Sequence, residues 1–241
     1  MNTAMILCAG FGTRMGELTK DIPKPMLKIR KKPMLEYTIL HLAKLGINKI
    51  FINLHYLSEK ITSYFGDGKD FGVSIKYSYE KEPLGTAGAV KNIETQLRKT
   101  SDFLLLYGDI VCNEDYQKLF AFHQTKEKSI ATIILHERNE SNSVVEMDSD
   151  NMIIRFIERP SEAVSNKMQN WVNSGIYCLR SKILDFIPKT KFCDFPKDIF
   201  PKLVANGGLY GYPLKGYRCA IDSSQRYNQV QEDMLRKKVL F

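Results

Sequence analysis

The residues best suited to chemistry near the start of the chain are glycines followed by cations. Gly10 and Gly12 come directly after a short apolar run, and Arg14 and Lys24 follow them. Glycines at such a turn let backbone N–H groups approach a phosphate without interference from a Cβ atom. Arginine adds a planar fork for phosphate oxygens, and lysine adds a compact point charge. The segment therefore predicts a site for a polyphosphate.

The spacing of these glycines excludes two common phosphate-binding motifs. No Gly-Lys-Ser/Thr triplet follows, so the loop is not a Walker motif. Met15 stands where the dinucleotide-binding fingerprint requires its third glycine. Taken alone, the loop is also compatible with an ordinary turn beside solvated cations.

Two aspartates are candidates for binding a divalent metal. Asp109 follows the apolar run of residues 104–107 and Gly108, and Asp222 follows Ile221. The carboxyl ends of strands are where α/β sheets bind ligands. Magnesium takes hard oxygen ligands, commonly one or two carboxylates together with substrate phosphates. Taken singly, either aspartate is more often a cap or turn residue.

The elements that must position these residues alternate between strands and helices in the first half of the chain. Strands are predicted at residues 4–8, 49–54, 73–79 and 103–107, and helices after Pro33, after Ser58 and from the 82–88 loop to about Leu97. In the second half, strands are predicted at residues 130–136, 144–147, 153–157 and 172–179, and helices at 181–186, 197–205 and 225–239. The pattern predicts an α/β fold with a Rossmann-like mixed, mostly parallel sheet and helices on both faces.

Composition and charge exclude several classes of protein. Of the 241 residues, 44 % are hydrophobic and 26 % are charged, which is typical of a globular protein. No apolar run is long enough for a membrane span, and the first residues lack the basic segment of a signal peptide. The five cysteines form no CxxC pair, which favours reduced thiols in a cytoplasmic protein.

The net charge of +8 is concentrated near the glycine loop, where seven cations lie within residues 1–32. Such a cluster suits a small polyphosphate as well as a nucleic-acid backbone. No nucleic-acid recognition motif accompanies it. A nucleic-acid partner is therefore not expected, and neither is a membrane partner.

The glycine loop and the segment after it resemble the signature of the sugar-1-phosphate nucleotidyltransferase family. The resemblance rests on Gly10-x-Gly12-Thr13-Arg14 and Pro23-Lys24-Pro25-Met26, and later motifs follow in the expected order across nearly the whole chain. It implies a fold of the nucleotide-diphospho-sugar transferase type. It also implies that Arg14 holds the β- and γ-phosphates of a nucleotide and Lys24 the α-phosphate, as catalytic residues. The implied nucleotide-binding residues of this loop are Leu7, Ala9, Gly10, Gly12 and Thr13.

A second glycine loop, at residues 80–88, leads into a predicted helix, and in the family this loop holds the nucleobase. Family members that use uracil or thymine tend to carry glutamine where this chain has Glu80. A carboxylate only accepts hydrogen bonds, so it matches the adjacent N1–H and N2–H₂ donors of guanine better than uracil. The loop resembles that of mannose- and heptose-1-phosphate guanylyltransferases, and the resemblance favours GTP. It adds Gly85, Thr86 and Ala87 to the implied nucleotide-binding residues.

The resemblance also implies a sugar-phosphate site and a metal site. Glu158 is implied to accept hydrogen bonds from sugar hydroxyls, Arg159 to bind the sugar phosphate, and Asn173 to contact the ring, with Gly175 in the same segment. The metal would be Mg²⁺, held by Asp109 and Asp222. Read from the residues alone, Glu158 and Arg159 are also compatible with a surface ion pair.

The sequence thus predicts a single cytoplasmic domain over residues 1–241 that joins an NTP, with GTP favoured, to a sugar 1-phosphate and releases pyrophosphate. The nucleotide-binding half is expected to end near residue 125, and the sugar-phosphate-binding half to follow it. A uridylyl- or cytidylyltransferase of the same fold and a catalytically silent, nucleotide-binding regulatory subunit remain as alternatives. The sequence leaves open the sugar and whether the chain forms a homo-oligomer. A β-helix domain like that of longer relatives is not expected.

Overall fold

The computed structural model describes residues 1–138, 143–159, 171–189 and 192–239, except for the side chain of Arg14. The strands in chain order are β1 (Thr3–Leu7), β2 (Lys28–Ile29), β3 (Lys32–Pro33), β4 (Lys49–Leu54), β5 (Ser74–Tyr79), β6 (Asp102–Tyr107), β7 (Ile110–Cys112), β8 (Ala131–Glu137), β9 (Ser143–Met147), β10 (Ile153–Glu158), β11 (Trp171–Arg180), β12 (Leu209–Pro213) and β13 (Arg218–Ala220). The α-helices are α1 (Met34–Lys44), α2 (Ser58–Phe65), α3 (Gly85–Asn92), α4 (Glu94–Leu97), α5 (Tyr116–Thr125), α6 (Phe200–Ala205) and α7 (Ser224–Leu235).

The chain forms two compact units, each assembled from separated segments. The first unit comprises residues 2–83, 106–115 and 215–241, and the second comprises residues 1, 84–105 and 116–214. The units are therefore interleaved along the sequence. The predicted nucleotide-binding and sugar-phosphate-binding halves are defined by the ligands they bind and not by compactness. This division of the chain stays a prediction.

The first unit contains three parallel strands with β4 between β1 and β5. Thr3 pairs with Lys49, and Ile50 pairs in turn with Ile75. The interior residues of β1 and β4 are buried, which is why these strands show as continuous apolar runs in the sequence. Parallel pairing places the carboxyl ends of the three strands at one edge, where the segments after β1 and β5 begin.

A second pairing in the first unit joins segments that are far apart in the sequence. β7 pairs with β13 in antiparallel register, with Ala220 opposite Ile110. An apolar cluster packs against this pair and consists of Met15, Leu27, Ile29, Met34, Val111, Cys219, Ile221, Val230, Met234 and Val239. The cluster fixes the segment after β1 and helix α7 to the same short strands, since both contribute residues to it.

The second unit is built mainly on antiparallel pairs. β8 pairs with β11 and β10 with β9 in antiparallel fashion, whereas β12 is parallel to β8. The register of β11 against β8 shifts between Asn173 and Tyr177, which marks a β-bulge. The sheet is therefore mixed, with parallel pairs in the first unit and mostly antiparallel pairs in the second.

Most predicted elements are present, and the differences have local causes. The predicted helix at residues 197–205 is a π-helical turn at Phe195–Ile199 followed by α6, and Pro201 lies in the first turn of α6, where proline is tolerated. The segment at Ser181–Asp185 is a 3₁₀ turn. The helix expected to reach Leu97 is interrupted at Ile93, which has φ −111°. None of the helices in the described ranges is long and apolar enough to cross a membrane.

Candidate active site

The segment after β1 turns back on itself through 3₁₀ conformation. The Gly12 carbonyl accepts hydrogen bonds from the Met15 N–H at 2.9 Å and from the Thr19 hydroxyl at 3.0 Å. A Cβ atom on Gly10 would meet nothing in the described part of the chain within 4 Å. The loop is thus held from within and leaves space at Gly10, as a phosphate-binding loop requires. The side chain of Arg14, a predicted catalytic residue, lies outside the described part.

Lys24 and Asp109 form an ion pair in the first unit. Lys24 begins a 3₁₀ turn directly after Pro23 and is 8 % exposed. Its Nζ donates to Asp109 Oδ2 at 2.7 Å, and the Asp109 side chain is 30 % exposed. A buried ammonium requires a charged partner, because its desolvation is otherwise costly. Two residues predicted separately for α-phosphate and metal are therefore in direct contact.

Gly108 allows Asp109 to lie beside the loop after β1. The Gly108 N–H donates to the Leu7 carbonyl at 2.8 Å. A Cβ atom at this position would lie 2.6 Å from the Cys8 sulfur and 2.8 Å from the Leu7 carbonyl oxygen. Both distances are shorter than real Cβ contacts, so only glycine permits this approach. The close approach of Gly108 to Leu7 thus places Asp109 next to the end of β1.

The β7–β13 pairing brings the backbone of Asp222 close to that of Asp109. The Ile221 N–H donates to the Asp109 carbonyl at 2.8 Å, so Ile221 lies opposite Asp109 and Asp222 one residue further along. The turn before β13 is held by Glu114, whose Oε2 accepts from the Lys215 and Gly216 N–H groups, both at 2.7 Å. The joint metal role of the two aspartates stays a prediction.

Glu80 directly follows β5 in the first unit and is almost completely buried. Its Oε1 accepts a hydrogen bond from the Asn53 side chain at 2.7 Å, and its backbone carbonyl contacts His55 Nδ1 at 2.8 Å. Asn53 in turn accepts a bond from the Cys8 N–H at 2.8 Å. The carboxylate predicted to read the nucleobase is therefore tied to the loop after β1.

The N-terminus of α3, in the second unit, is covered by the segment around Cys193. The Ala87 and Gly88 N–H groups donate to the Cys193 carbonyl at 2.9 and 3.0 Å. The Thr86 N–H and hydroxyl donate to Asp194 Oδ1 at 3.1 and 3.0 Å. Donors left unpaired within a helix must find partners, and here protein atoms supply them. The predicted nucleotide contacts of Thr86 and Ala87 stay predictions, and these N–H groups already have protein acceptors.

Glu158 lies at the end of β10 in the second unit, and burial raises its pKa to about 7. The positive charges of Arg159 and Lys197 oppose this rise, and the negative charge of Asp194 adds to it. Arg159 adopts a positive φ of 53°. The structure therefore brings together Glu158 and Arg159, and it adds Lys197, which sequence reasoning missed.

Asn173 shapes the β-bulge of β11. Its Oδ1 accepts from the Gly175 N–H at 3.0 Å, and its Nδ2 donates to the Tyr177 hydroxyl at 2.8 Å. Gly175 has a φ of 73°, which fits its place in the bulge. Bulges often lie next to active sites, where they change the direction of a side chain. The predicted sugar contact by Asn173 remains untested.

Comparison with known proteins decides the family. The family model described as Nucleotidyl transferase matches residues 3–219, which is most of the chain. The chain belongs to the nucleotidyl transferase family. The predicted resemblance to sugar-1-phosphate nucleotidyltransferases is confirmed.

Two similar proteins are named for different nucleotides. The chain is 36 % identical to a mannose-1-phosphate guanyltransferase of Debaryomyces hansenii over 219 residues, covering 88 % of this chain and 59 % of that protein. It is 38 % identical to a UTP–glucose-1-phosphate uridylyltransferase of Synechocystis sp. over 218 residues, covering 85 % of this chain and 55 % of that protein. The chain thus spans somewhat more than half the length of these relatives.

Solved structures share the fold of the chain. HddC from Yersinia pseudotuberculosis, in a crystal structure complexed with GMP-PN, is 28 % identical to the chain. The two structures superimpose with a TM-score of 0.80, covering 97 % of this chain and all of that one. The predicted α/β fold class, with a mixed sheet and helices, is confirmed.

Sequence reasoning missed two residues of the first unit that adjoin the predicted site. Asn53 bonds to Glu80, and the charge of Arg218 interacts with Asp109. Burial lowers the pKa of the Arg218 guanidinium, and the nearby Asp109 carboxylate opposes that change. Arg218 lies four residues before Asp222 in the sequence. That spacing could have indicated a phosphate-binding role for Arg218, because arginine is a frequent phosphate ligand.

The residues at Asp109 fit a magnesium ion. Asp109 offers hard carboxylate oxygens at the edge of the loop after β1, and its present partner is Lys24, a cation whose place a metal ion can take. No group of three or more potential metal ligands occurs among the residues that the structure describes. Magnesium sites formed from one or two carboxylates and substrate phosphates need no such group.

Proposed function

We propose that this protein joins an NTP to a sugar 1-phosphate and releases pyrophosphate. The observation that carries the proposal is the ion pair of Lys24 and Asp109 beside the glycine loop after β1. In a member of the nucleotidyl transferase family, this arrangement supplies a cation for a phosphate and a carboxylate for a metal. The activity of the whole protein is part of the proposal, because the chain spans only part of its longer relatives.

The proposed nucleotide is GTP. Glu80 supports this choice, since its carboxylate accepts hydrogen bonds and guanine presents two adjacent donors. The name of the Debaryomyces relative and the GMP-PN complex of HddC agree with a guanine nucleotide. UTP is the second candidate, and the Synechocystis relative favours it.

The proposed reaction is an in-line displacement at the α-phosphorus. An oxygen of the sugar 1-phosphate forms the new P–O bond, and the bond to pyrophosphate breaks on the opposite side. The attacking oxygen is already anionic at neutral pH, so the protein needs to supply position and charge rather than a strong base. A bound Mg²⁺, held by Asp109 and Asp222, would neutralise charge on the phosphate oxygens.

The chain's own residues have separate tasks in this proposal. Lys24 leaves Asp109 and binds the α-phosphate, where negative charge develops in the transition state. Arg14 holds the β- and γ-phosphates and steadies the departing pyrophosphate. In the second unit, Glu158 accepts from sugar hydroxyls and Arg159 binds the sugar phosphate, with Asn173 and Gly175 shaping the adjacent strand.

The test is a panel of the four NTPs against mannose, glucose, glucosamine and heptose 1-phosphates, read by pyrophosphate release with Mg²⁺. We expect release with one NTP at least tenfold above the others, and GTP as that NTP. Release with UTP alone would overturn the choice of base and keep the reaction. Nucleotide binding without release from any pair would overturn the reaction and favour a silent regulatory subunit.

A further inference from the structure

A buried chain of hydrogen bonds joins the loop after β1 to the residue that follows β5. The Cys8 backbone N–H donates to Asn53 Oδ1 at 2.8 Å, and Asn53 Nδ2 donates to Glu80 Oε1 at 2.7 Å. Asn53 is 3 % exposed and Glu80 is 6 % exposed. The parallel pairing of β1, β4 and β5 brings the three residues to one edge, and each belongs to a different strand or its end.

The direction of this chain is fixed by the backbone. An asparagine amide can be turned so that its oxygen and nitrogen exchange places, and its neighbours decide which way it points. Here the Cys8 N–H can only donate, so the Asn53 oxygen must face it. The Asn53 NH₂ group then faces residue 80 and requires an acceptor there. The backbone N–H of residue 8, which only a substitution to proline would remove, therefore sets the orientation of the Asn53 amide and the kind of atom that position 80 must present to it.

We propose that Asn53 is a positioning residue that determines nucleobase specificity by setting which atom of residue 80 faces the base. The inference rests on the proposed function, since it takes Glu80 as the residue that reads the base. With glutamate, one carboxylate oxygen accepts from Asn53 and the other accepts from the N–H groups of guanine. With glutamine, the side-chain oxygen stays on Asn53 and the NH₂ group faces the base, which then has to offer an acceptor, as uracil does.

The test uses three isosteric variants: Glu80→Gln, Asn53→Asp and the double variant. In the double variant the aspartate at position 53 still accepts from Cys8 N–H, and its second oxygen accepts from the NH₂ group of glutamine at position 80. The glutamine oxygen is then the atom that faces the base, as in the original chain. Glu59→Gln, an exposed substitution of the same kind on α2, is the matched control.

The first measurement is the ratio of kcat/KM for GTP to kcat/KM for UTP. We expect Glu80→Gln to lower this ratio about 10- to 100-fold, because a donor then faces a donor in a desolvated site. We expect the double variant to regain at least tenfold of that loss, and the control to leave the ratio unchanged. A merely structural role for Asn53 predicts that the double variant is poorer than either single variant with both nucleotides.

The second measurement is the melting temperature, without nucleotide, of the original chain and the same four variants, and it does not depend on the reaction. Asn53→Asp places two buried carboxylates in contact, so we expect melting about 10 °C lower in a chain of this size. Adding Glu80→Gln removes the repulsion, and melting should recover by at least half.

The two measurements separate failure of the inference from failure of the proposed function. If the original chain transfers no nucleotide, the proposed function is wrong, and the melting series still decides whether Asn53 sets the polarity of position 80. If the chain prefers UTP, the ratio must still fall in Glu80→Gln and rise again when Asn53→Asp is added to it. A double variant that melts no higher than Asn53→Asp, or whose base preference equals that of Glu80→Gln, overturns the inference.

Discussion

Lys24 is a buried cation whose charge is balanced by the carboxylate of Asp109. In the proposed reaction the lysine must exchange this partner for a phosphate oxygen, and the aspartate must exchange it for a metal. Both exchanges keep each charge paired throughout, which avoids leaving either group desolvated and alone. The ion pair therefore prepares both side chains for ligands of opposite charge.

Loss of either partner should lower turnover strongly while the protein stays folded. We expect Lys24→Ala and Asp109→Asn each to reduce kcat by about 100-fold or more, the scale for removal of one charge-stabilising group. Pyrophosphate release measures the effect, and circular dichroism verifies folding. Lys20→Ala is the matched control, since its side chain is 70 % exposed in the same segment. Near-normal turnover in either of the first two variants would contradict the assigned roles.

Glu158 should make stability depend on pH near neutrality. Burial raises its pKa to about 7 from the ordinary value of 4.5, so the folded protein holds its proton more tightly than the unfolded chain does. The stability that this proton provides is complete below about pH 4.5 and is lost as pH rises through about 7. The melting temperature of the original chain should therefore fall over this range relative to Glu158→Gln. If the melting temperatures of the two proteins changed with pH in the same way, Glu158 would not be the group responsible.

At the scale of elements, the contact of α3 with the segment around Cys193 depends on Gly85. This glycine has φ 75°, and a Cβ atom on it would lie 2.6 Å from the Cys193 carbonyl oxygen. Alanine therefore meets two penalties, a left-handed backbone and a collision with main-chain atoms that cannot rotate away. The collision would separate Cys193 from the first turn of α3. The Cys193 carbonyl would then lose the hydrogen bonds that it accepts from the N–H groups of that turn.

We expect Gly85→Ala to destabilise the protein more than a glycine substitution that meets only the backbone penalty. Gly46→Ala supplies that comparison, because Gly46 has φ 74° and no described atom would lie within 4 Å of its Cβ. The left-handed conformation costs about 1–2 kcal/mol, so Gly46→Ala should lower the melting temperature by about 2–8 °C. Gly85→Ala should lower it at least twice as far. Equal losses in thermal melting would mean that the segment around Cys193 moves aside without cost.

Elements that are defined by local patterns were predictable from the sequence, and elements defined by distant partners were not. The apolar runs of β1, β4 and β6 identify these strands, because burial on both faces leaves a continuous signal. The three-residue strands β7 and β13 carry no such signal and exist only because they pair across the sequence.

The same distinction holds for the site. The residue types of Lys24 and Asp109 indicate their chemistry, but nothing in the sequence places their side chains 2.7 Å apart. Asn53 reads as an ordinary polar residue near the end of a strand until its bonds to Cys8 and Glu80 are seen. The N–H groups of Thr86 and Ala87 look available in the sequence, because the acceptors that cover them lie more than 100 residues away.

At the scale of the whole molecule, family membership and composition leave the nucleotide to be decided by binding. A ligand that binds only the folded state stabilises it in proportion to the logarithm of its concentration. The net charge of +8 attracts any nucleoside triphosphate, whatever its base. A preference for one base therefore has to come from the binding site itself. The predicted cytoplasmic location and any homo-oligomer stay predictions.

Thermal stabilisation by nucleotide should therefore be selective. At a concentration 100 times its Kd, GTP with Mg²⁺ should stabilise the fold by about 2.7 kcal/mol, which raises the melting temperature by about 5–10 °C in a chain of this length. Chelation of Mg²⁺ with EDTA should remove most of the shift. Equal shifts with GTP, UTP and ATP under the same conditions would show that the site does not discriminate between bases.

The reactivity of the five cysteines can report when the folded protein opens and exposes them to solvent. All five are buried as thiols, and burial raises the pKa of Cys8 in the first unit and of Cys178 and Cys193 in the second. Only the thiolate reacts with a disulfide reagent, so the folded chain should resist Ellman's reagent at pH 8. Single-cysteine versions that keep Cys8 or Cys178 would then register the opening of each unit separately by the rate of colour release. Rapid reaction of the native protein would show that these thiols are accessible to solvent.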